Sequence, residues 1–183
     1  MARNTEIKAR ISSLEALLPI ATALADGGPP RHIEQDDTFF HVHQGRLKLR
    51  EFADGSAELI HYHRPDAEGP KVSDYVISPV ADAASMRLAL GRACGQLGRV
   101  RKQRTLLLAG QTRIHLDRVE GLGDFLELEV VLRDGQSAEE GVRIAQGLMQ
   151  QLGVQAGQLL SGAYLDLLGT ATQASKLRPV GAA

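Results

Sequence analysis

The run Gly45-Arg46-Leu47-Lys48-Leu49-Arg50-Glu51-Phe52-Ala53-Asp54-Gly55-Ser56-Ala57-Glu58-Leu59-Ile60-His61-Tyr62-His63-Arg64 decides how the chain is read. Between Arg46 and Glu51 polar and apolar residues alternate strictly, which is the period of a strand and not of a helix. Arg46, Lys48 and Arg50 therefore share one face, and Leu47 and Leu49 the other. Gln44-Gly45 reads as a tight turn before this strand, and Asp54-Gly55 is a strong hairpin signal after it. The returning strand, Ala57 to Arg64, carries Glu58, Tyr62 and Arg64 on one face.

The same pattern recurs on either side. Strands are expected over Thr5 to Arg10, over 31–43, and over Lys71 to Ser78. Three more follow in succession at Val100 to Ala109, Thr112 to Val119 and Phe125 to Arg133. Helices are expected after Ser12 or Ser13, with Leu14, Leu17 and Leu18 opening the apolar stripe, and over 81–98, with Met86, Leu90 and Leu97 inward. Ser137-Ala138-Glu139-Glu140 resembles a capping box that opens a helix to about Leu152. A last short helix is expected from Ser161 to Leu168. Eight strands joined mainly as hairpins, with helices between them, define an α+β class, and eight are enough to close an antiparallel barrel. Residues 1–173 read as one domain and 174–183 as a flexible tail; Asp66-Ala67-Glu68-Gly69-Pro70 reads as a connection inside the domain.

Bulk properties narrow the function. The 183 residues carry a net charge of −1 with pI near 6.6, which argues against a broad nucleic-acid-coating surface. Aromatic residues make up 4%, too few for a base-stacking platform. There is no apolar run of about 20 residues to span a bilayer, and the single Cys94 permits no intrachain disulfide. The expectation is a cytoplasmic protein that binds neither nucleic acid nor membrane.

The polar strand faces carry the chemical signal. Lys48 and Arg50 share a face, as do Lys102 and Arg104; Arg113, His115 and Asp117 share another; Glu127 and Glu129 another. If helices cover the apolar faces from outside and the sheet closes, these charges point into the lumen. Charges of both signs buried there are costly unless they pair or meet a ligand. A cationic wall suits phosphate oxygens, and a carboxylate cluster suits Mg²⁺ or Mn²⁺ bridging to phosphates. His115, among polar lumen residues, is a candidate general acid or base. The pairs His41/His43 and His61/His63 read as strand faces, Cys94 as core, and Tyr164 and Asp166 as packing and surface.

Taken in order, Asn4-Thr5-Glu6-Ile7-Lys8, Gln35-Asp36-Asp37-Thr38-Phe39-Phe40, Gly45 to Arg50, Glu58 to Arg64, Lys102-Gln103-Arg104, Arg113 to Asp117 and Gly121 to Glu129 resemble the CYTH superfamily of triphosphate tunnel enzymes, closest to class IV adenylate cyclase-like proteins. The resemblance runs from Asn4 to about Leu168. It implies an eight-stranded tunnel in which Lys8, Lys48, Arg50, Arg64, Lys102, Arg104 and Arg113 contact phosphates. It implies that Glu6, Glu127, Glu129 and Asp117 hold Mg²⁺ or Mn²⁺, and that Lys8, Glu129 and His115 carry the chemistry. The implied ligand is a nucleotide or other polyphosphate, and the implied assembly a homodimer. The implied reaction is cyclisation of ATP to cyclic AMP and pyrophosphate, or triphosphate hydrolysis. Binding of a phosphorylated metabolite without turnover, and action on another organic diphosphate or triphosphate, are the alternatives. One position departs: Asn4 stands where the family signature Glu-x-Glu-x-Lys has its first Glu.

Overall fold

The computed structural model describes residues 2–65 and 69–176, and the side chains of 3–65 and 69–170. Eight strands, β1 (Ala2–Arg10), β2 (Arg31–Phe40), β3 (Arg46–Phe52), β4 (Ala57–His63), β5 (Lys71–Val80), β6 (Gln96–Ala109), β7 (Thr112–Val119) and β8 (Gly123–Val131), close into a barrel in the order β1-β5-β4-β3-β2-β6-β7-β8. Every neighbouring pair is antiparallel, and β1 completes the ring by pairing with both β5 and β8. The hairpin at Asp54-Gly55 turns where expected, with Gly55 at a φ of 84° that a side chain would resist.

Helices α1 (Leu14–Leu24), α2 (Ala83–Cys94), α3 (Ala138–Gln151) and α4 (Tyr164–Lys176) pack outside or across one end. Ser13 caps α1 by accepting from the Ala16 amide, and Ser137 with Glu140 forms the capping box of α3. Leu17 and Ala21 of α1 and Ala145 of α3 cover the outward residues Ile7, Ile114, Leu116, Leu126 and Leu128. Gly141 allows this approach, because a Cβ there would stand 2.4 Å from Thr5 Oγ1. On the other side Met86 and Leu90 of α2 cover Phe40, Leu49 and Ala57. With the outer faces occupied, the charged faces have only the lumen.

One end of the lumen is shut. Phe39, Val100, Val119 and Phe125 meet Tyr164 of α4 in a separate apolar cluster, with Phe125 and Tyr164 edge to face at 4.9 Å. The tunnel is therefore a cup.

Several expectations change. The helix expected over 81–98 ends at Cys94, where Gly95 turns the chain with φ 78°; Leu97 lies on β6 and is exposed. Val42 lies outside β2. The final helix starts at Tyr164 and runs to Lys176, beyond the expected Leu168 and into the expected tail. Residues 66–68 of the connection and 177–183 of the tail lie outside the described residues. No helix among the described residues is long and apolar enough to cross a membrane.

Candidate functional site

The inward faces of the strands enclose a cavity of about 410 Å³. Eight Lys or Arg side chains and five carboxylates line it. A chain with an overall charge of −1 thus concentrates positive charge inside its own barrel, where low polarity strengthens the attraction for anions.

Two clasps organise the cations. On β2, Asp37 accepts from Lys48 Nζ at 2.8 Å and from Arg50 Nε and NH2 at 2.7 and 2.8 Å. On β7, Asp117 accepts from Lys102 Nζ at 2.9 Å and from Arg104 Nε and NH2 at 2.6 Å each. The i, i+2 spacing on β3 and β6 aims each Lys–Arg pair at one aspartate on a neighbouring strand, as the Asp37↔Arg50 and Arg104↔Asp117 registers require. Burial alone would raise both aspartates, but the cations hold them well below the usual carboxylate range. Burial, with Arg50 beside it, pushes the Lys48 ammonium down to about 7. Lys102 is lowered by burial and by Arg104.

The acidic corner sits on β8 and β1. Glu127 binds Lys8 at 3.0 Å and Arg104 at 2.6 Å, and Glu129 meets Arg113 at 3.4 Å. Glu6, opposite Glu129 across the β1–β8 ladder, pairs with Arg64. His115 Nδ1 lies 3.9 Å from Glu127 and 3.7 Å from Glu129. That nitrogen is buried and makes no hydrogen bond. Burial, then Arg104, lowers the His115 pKa below its ordinary 6.5, which favours the neutral imidazole. Glu129 is lowered too: His115 and Arg104 outweigh the effect of burial. His115, Glu127 and Glu129 each offer one atom within 4.8 Å of the others. One imidazole nitrogen and two carboxylates suit a divalent cation. The four histidines of the His-x-His pairs are exposed.

Lys8, Lys48, Arg50, Arg64, Lys102, Arg104, Arg113, Glu6, Glu127, Glu129 and His115 all line the cavity. Asp117 does not. It is fully buried behind the clasp, and the Tyr164 hydroxyl also donates to it at 3.1 Å, so the atoms that would ligate a metal already accept hydrogen bonds. Tyr164 packs as expected and does more: its ring stands 3.8 Å from Lys8 Nζ and 5.0 Å from Lys102 Nζ. Asp166 caps α4 by accepting from the Ala163 amide, and it pairs with Arg46. Asp37, absent from the expected site residues, anchors Lys48 and Arg50 of the cationic wall. Asn4 is buried, lines the cavity and leaves Oδ1 unbonded.

The sequence pattern of the CYTH domain matches residues 2–164. The chain belongs to the CYTH family. Among known proteins it is similar to adenylate cyclase CyaB of Aeromonas hydrophila, with 26% identity over 173 residues that span 90% of this chain and 87% of that protein. Its CYTH barrel is similar to the PH1012 protein of Pyrococcus horikoshii, with 23% identity, a TM-score of 0.78, and coverage of 90% of this chain and 99% of that one. It is also similar to a Hippeastrum protein named as an adenylyl cyclase candidate and described with a dominant triphosphatase activity. There the identity is 16%, the TM-score 0.63, and 98% of each chain is covered.

Proposed function

We propose that this CYTH protein is a metal-dependent enzyme that holds a polyphosphate in its tunnel and cleaves a phosphoric anhydride bond, with water as the attacking group. The observation that carries this reading is a set of buried, unsatisfied polar atoms on the cavity wall. Asn4 Oδ1, Gln35 Oε1, Arg64 Nε and His115 Nδ1 all lack a hydrogen-bond partner, and all four residues face the cavity beside its surplus of cations. Buried polar atoms left without partners are costly, and a hydrated, metal-bound polyphosphate offers both donors and acceptors to them.

In this reading Lys8, Lys48, Arg50, Arg64, Lys102, Arg104 and Arg113 neutralise the phosphate oxygens and fix the chain in line. Glu127 and Glu129, with Glu6 beside them, would hold Mg²⁺ or Mn²⁺; Asp117 serves as the inner counter-ion of Lys102 and Arg104. The cation, when bound, supplies charge neutralisation and Lewis-acid polarisation of a phosphoryl oxygen. His115, neutral and with Nδ1 unengaged, takes the proton from the attacking water. Glu129, 3.7 Å from that nitrogen, stabilises the imidazolium that results. Lys8, held between Glu127 and the Tyr164 ring, steadies the charge on the leaving phosphate.

A second reading is cyclisation of ATP to cyclic AMP and pyrophosphate; the similarity to adenylate cyclase CyaB over 90% of the chain favours it. Incubation with ATP, inorganic triphosphate and thiamine triphosphate, each with Mg²⁺ or Mn²⁺, separates the two. Release of inorganic phosphate supports hydrolysis, and cyclic AMP with pyrophosphate supports the cyclase. Tight binding with no product from any of them would leave a binding module and overturn both.

A further inference from the structure

The lumen changes character at its open end. Ile77 of β5, Ile60 of β4, Phe52 of β3, Ile33 of β2 and Leu106 of β6 all line the cavity. Their five strands are consecutive around the barrel, so the side chains lie along one arc of the wall, in which the Arg50–Glu58 pair stands between Ile60 and Phe52. The registers Ile60↔Ile77 and Gln35↔Phe52 put these residues on the inner face, toward the ends of β3, β5 and β6 that lie away from the plug. The remaining strands, β7, β8 and β1, present Arg113, Glu129 and Asn4 instead.

Ile77 is 46% exposed, although it faces a charged cavity. Apolar side chains grouped on a cavity wall beside a few polar groups are the usual lining of a site that takes an organic group. The plug around Phe125 and Tyr164 shuts the other end, so any group attached to phosphates held by Lys48 and Arg50 must leave toward this arc. Inorganic polyphosphate has nothing to lay against it. A nucleoside would bring ribose hydroxyls and base edges to a surface whose polar groups are few: Arg31, Glu58 and the Tyr75 hydroxyl.

We infer that the tunnel takes a polyphosphate ester whose organic group is apolar, an alkyl, alkenyl or aryl chain seated on the arc of Ile33, Phe52, Ile60, Ile77 and Leu106. The inference rests on the reading that the tunnel holds a polyphosphate and adds the class of its organic group. Apolar pockets discriminate by about 10- to 200-fold for a methylene gained or lost, so several carbons on this arc give a large preference.

Titration calorimetry with Mg²⁺ tests it on the whole chain. Inorganic pyrophosphate and geranyl diphosphate share the diphosphate, which in geranyl diphosphate is esterified at one end by the apolar chain; ATP is the third probe. Geranyl diphosphate is expected to bind at least tenfold tighter than pyrophosphate and tighter than ATP. In Phe52→Ser and Ile77→Ser this advantage shrinks at least tenfold, while pyrophosphate affinity and the melting temperature stay within error. Equal affinity for pyrophosphate and geranyl diphosphate, or tightest binding of ATP, overturns the apolar class and leaves the phosphate reading standing. Variants that weaken pyrophosphate as much as geranyl diphosphate overturn the arc. Binding of none of the three overturns the phosphate reading as well.

Discussion

The clasps on Asp37 and Asp117 are built from the same parts and do different work. Each aspartate takes one Lys and one bidentate Arg from a Lys-x-Arg run on a neighbouring strand, with distances that agree to about 0.2 Å. Their settings diverge. Asp37 lines the cavity, and Lys48 and Arg50 have side chains 14% and 12% exposed. Asp117 is fully enclosed, takes a third donor from Tyr164, and shares Arg104 with Glu127. The first clasp can release its cations toward a ligand at modest cost. The second is locked between the plug and the acidic corner. Access to the cavity, and not residue type, sets how readily each clasp yields its cations to a ligand.

The largest effect should come from breaking the locked clasp. Asp117→Ala leaves Lys102 and Arg104 buried without their counter-ion, and removing one partner of a buried ion pair costs about 3–5 kcal/mol. Chemical denaturation should show a loss in that range. Asp37→Asn should cost less, about 1–3 kcal/mol, because a side-chain amide still accepts a hydrogen bond and the cavity offers water. If Asp37→Asn proves as damaging as Asp117→Ala, the distinction between the clasps fails.

Arg50→Ala should leave the fold intact at a cost of about 1–3 kcal/mol, because the buried Asp37 keeps only Lys48, and weaken pyrophosphate binding by about ten- to a hundredfold, the scale of one bidentate charged contact. Unchanged affinity would mean that the β3 face is merely solvated. Tyr164→Phe removes one hydrogen bond to a charged acceptor and keeps the ring over Lys8. A stability loss of about 1.5–3 kcal/mol is expected, with phosphate affinity retained.

The smallest effect is one of protons. The folded Lys48 titrates near 7 and the unfolded lysine near 10.5. Between these values the unfolded chain holds a proton that the folded chain lacks. This group therefore makes stability rise with pH across that window, with its full penalty present below about pH 7. An anion placed beside Lys48 recharges it, so binding at pH 8 should take up a proton. Calorimetry in two buffers of different ionisation enthalpy reads that uptake, and Lys48→Arg should abolish it. Equal uptake in both proteins would locate the proton elsewhere.

Much of the site was legible in advance because strand alternation is a local signal. Arg46 to Glu51, Arg113 to Asp117 and Phe125 to Glu129 sort charge from hydrocarbon residue by residue, and the structure brings Lys48, Arg50, Arg113, His115, Glu127 and Glu129 to one cavity. Asp37 was not legible. Alternation says that Asp36 and Asp37 face opposite ways, but not which way is in. In the folded barrel Asp36 pairs outside with Arg99 and Arg101, and Asp37 inside with Lys48 and Arg50.

Period, turn chemistry and capping were written along the chain, and they sufficed for the strands, most helix starts and the polarity of each face, since these depend on residues within a few positions of one another. The plug, the separate fates of Asp37 and Asp117, and the apolar arc at the mouth were not written there. Tyr164 meets Asp117 across 47 residues, and Arg64 meets Glu6 across 58. Such contacts join elements far apart in the chain, and until those elements pack together no local pattern records which residues will share the lumen.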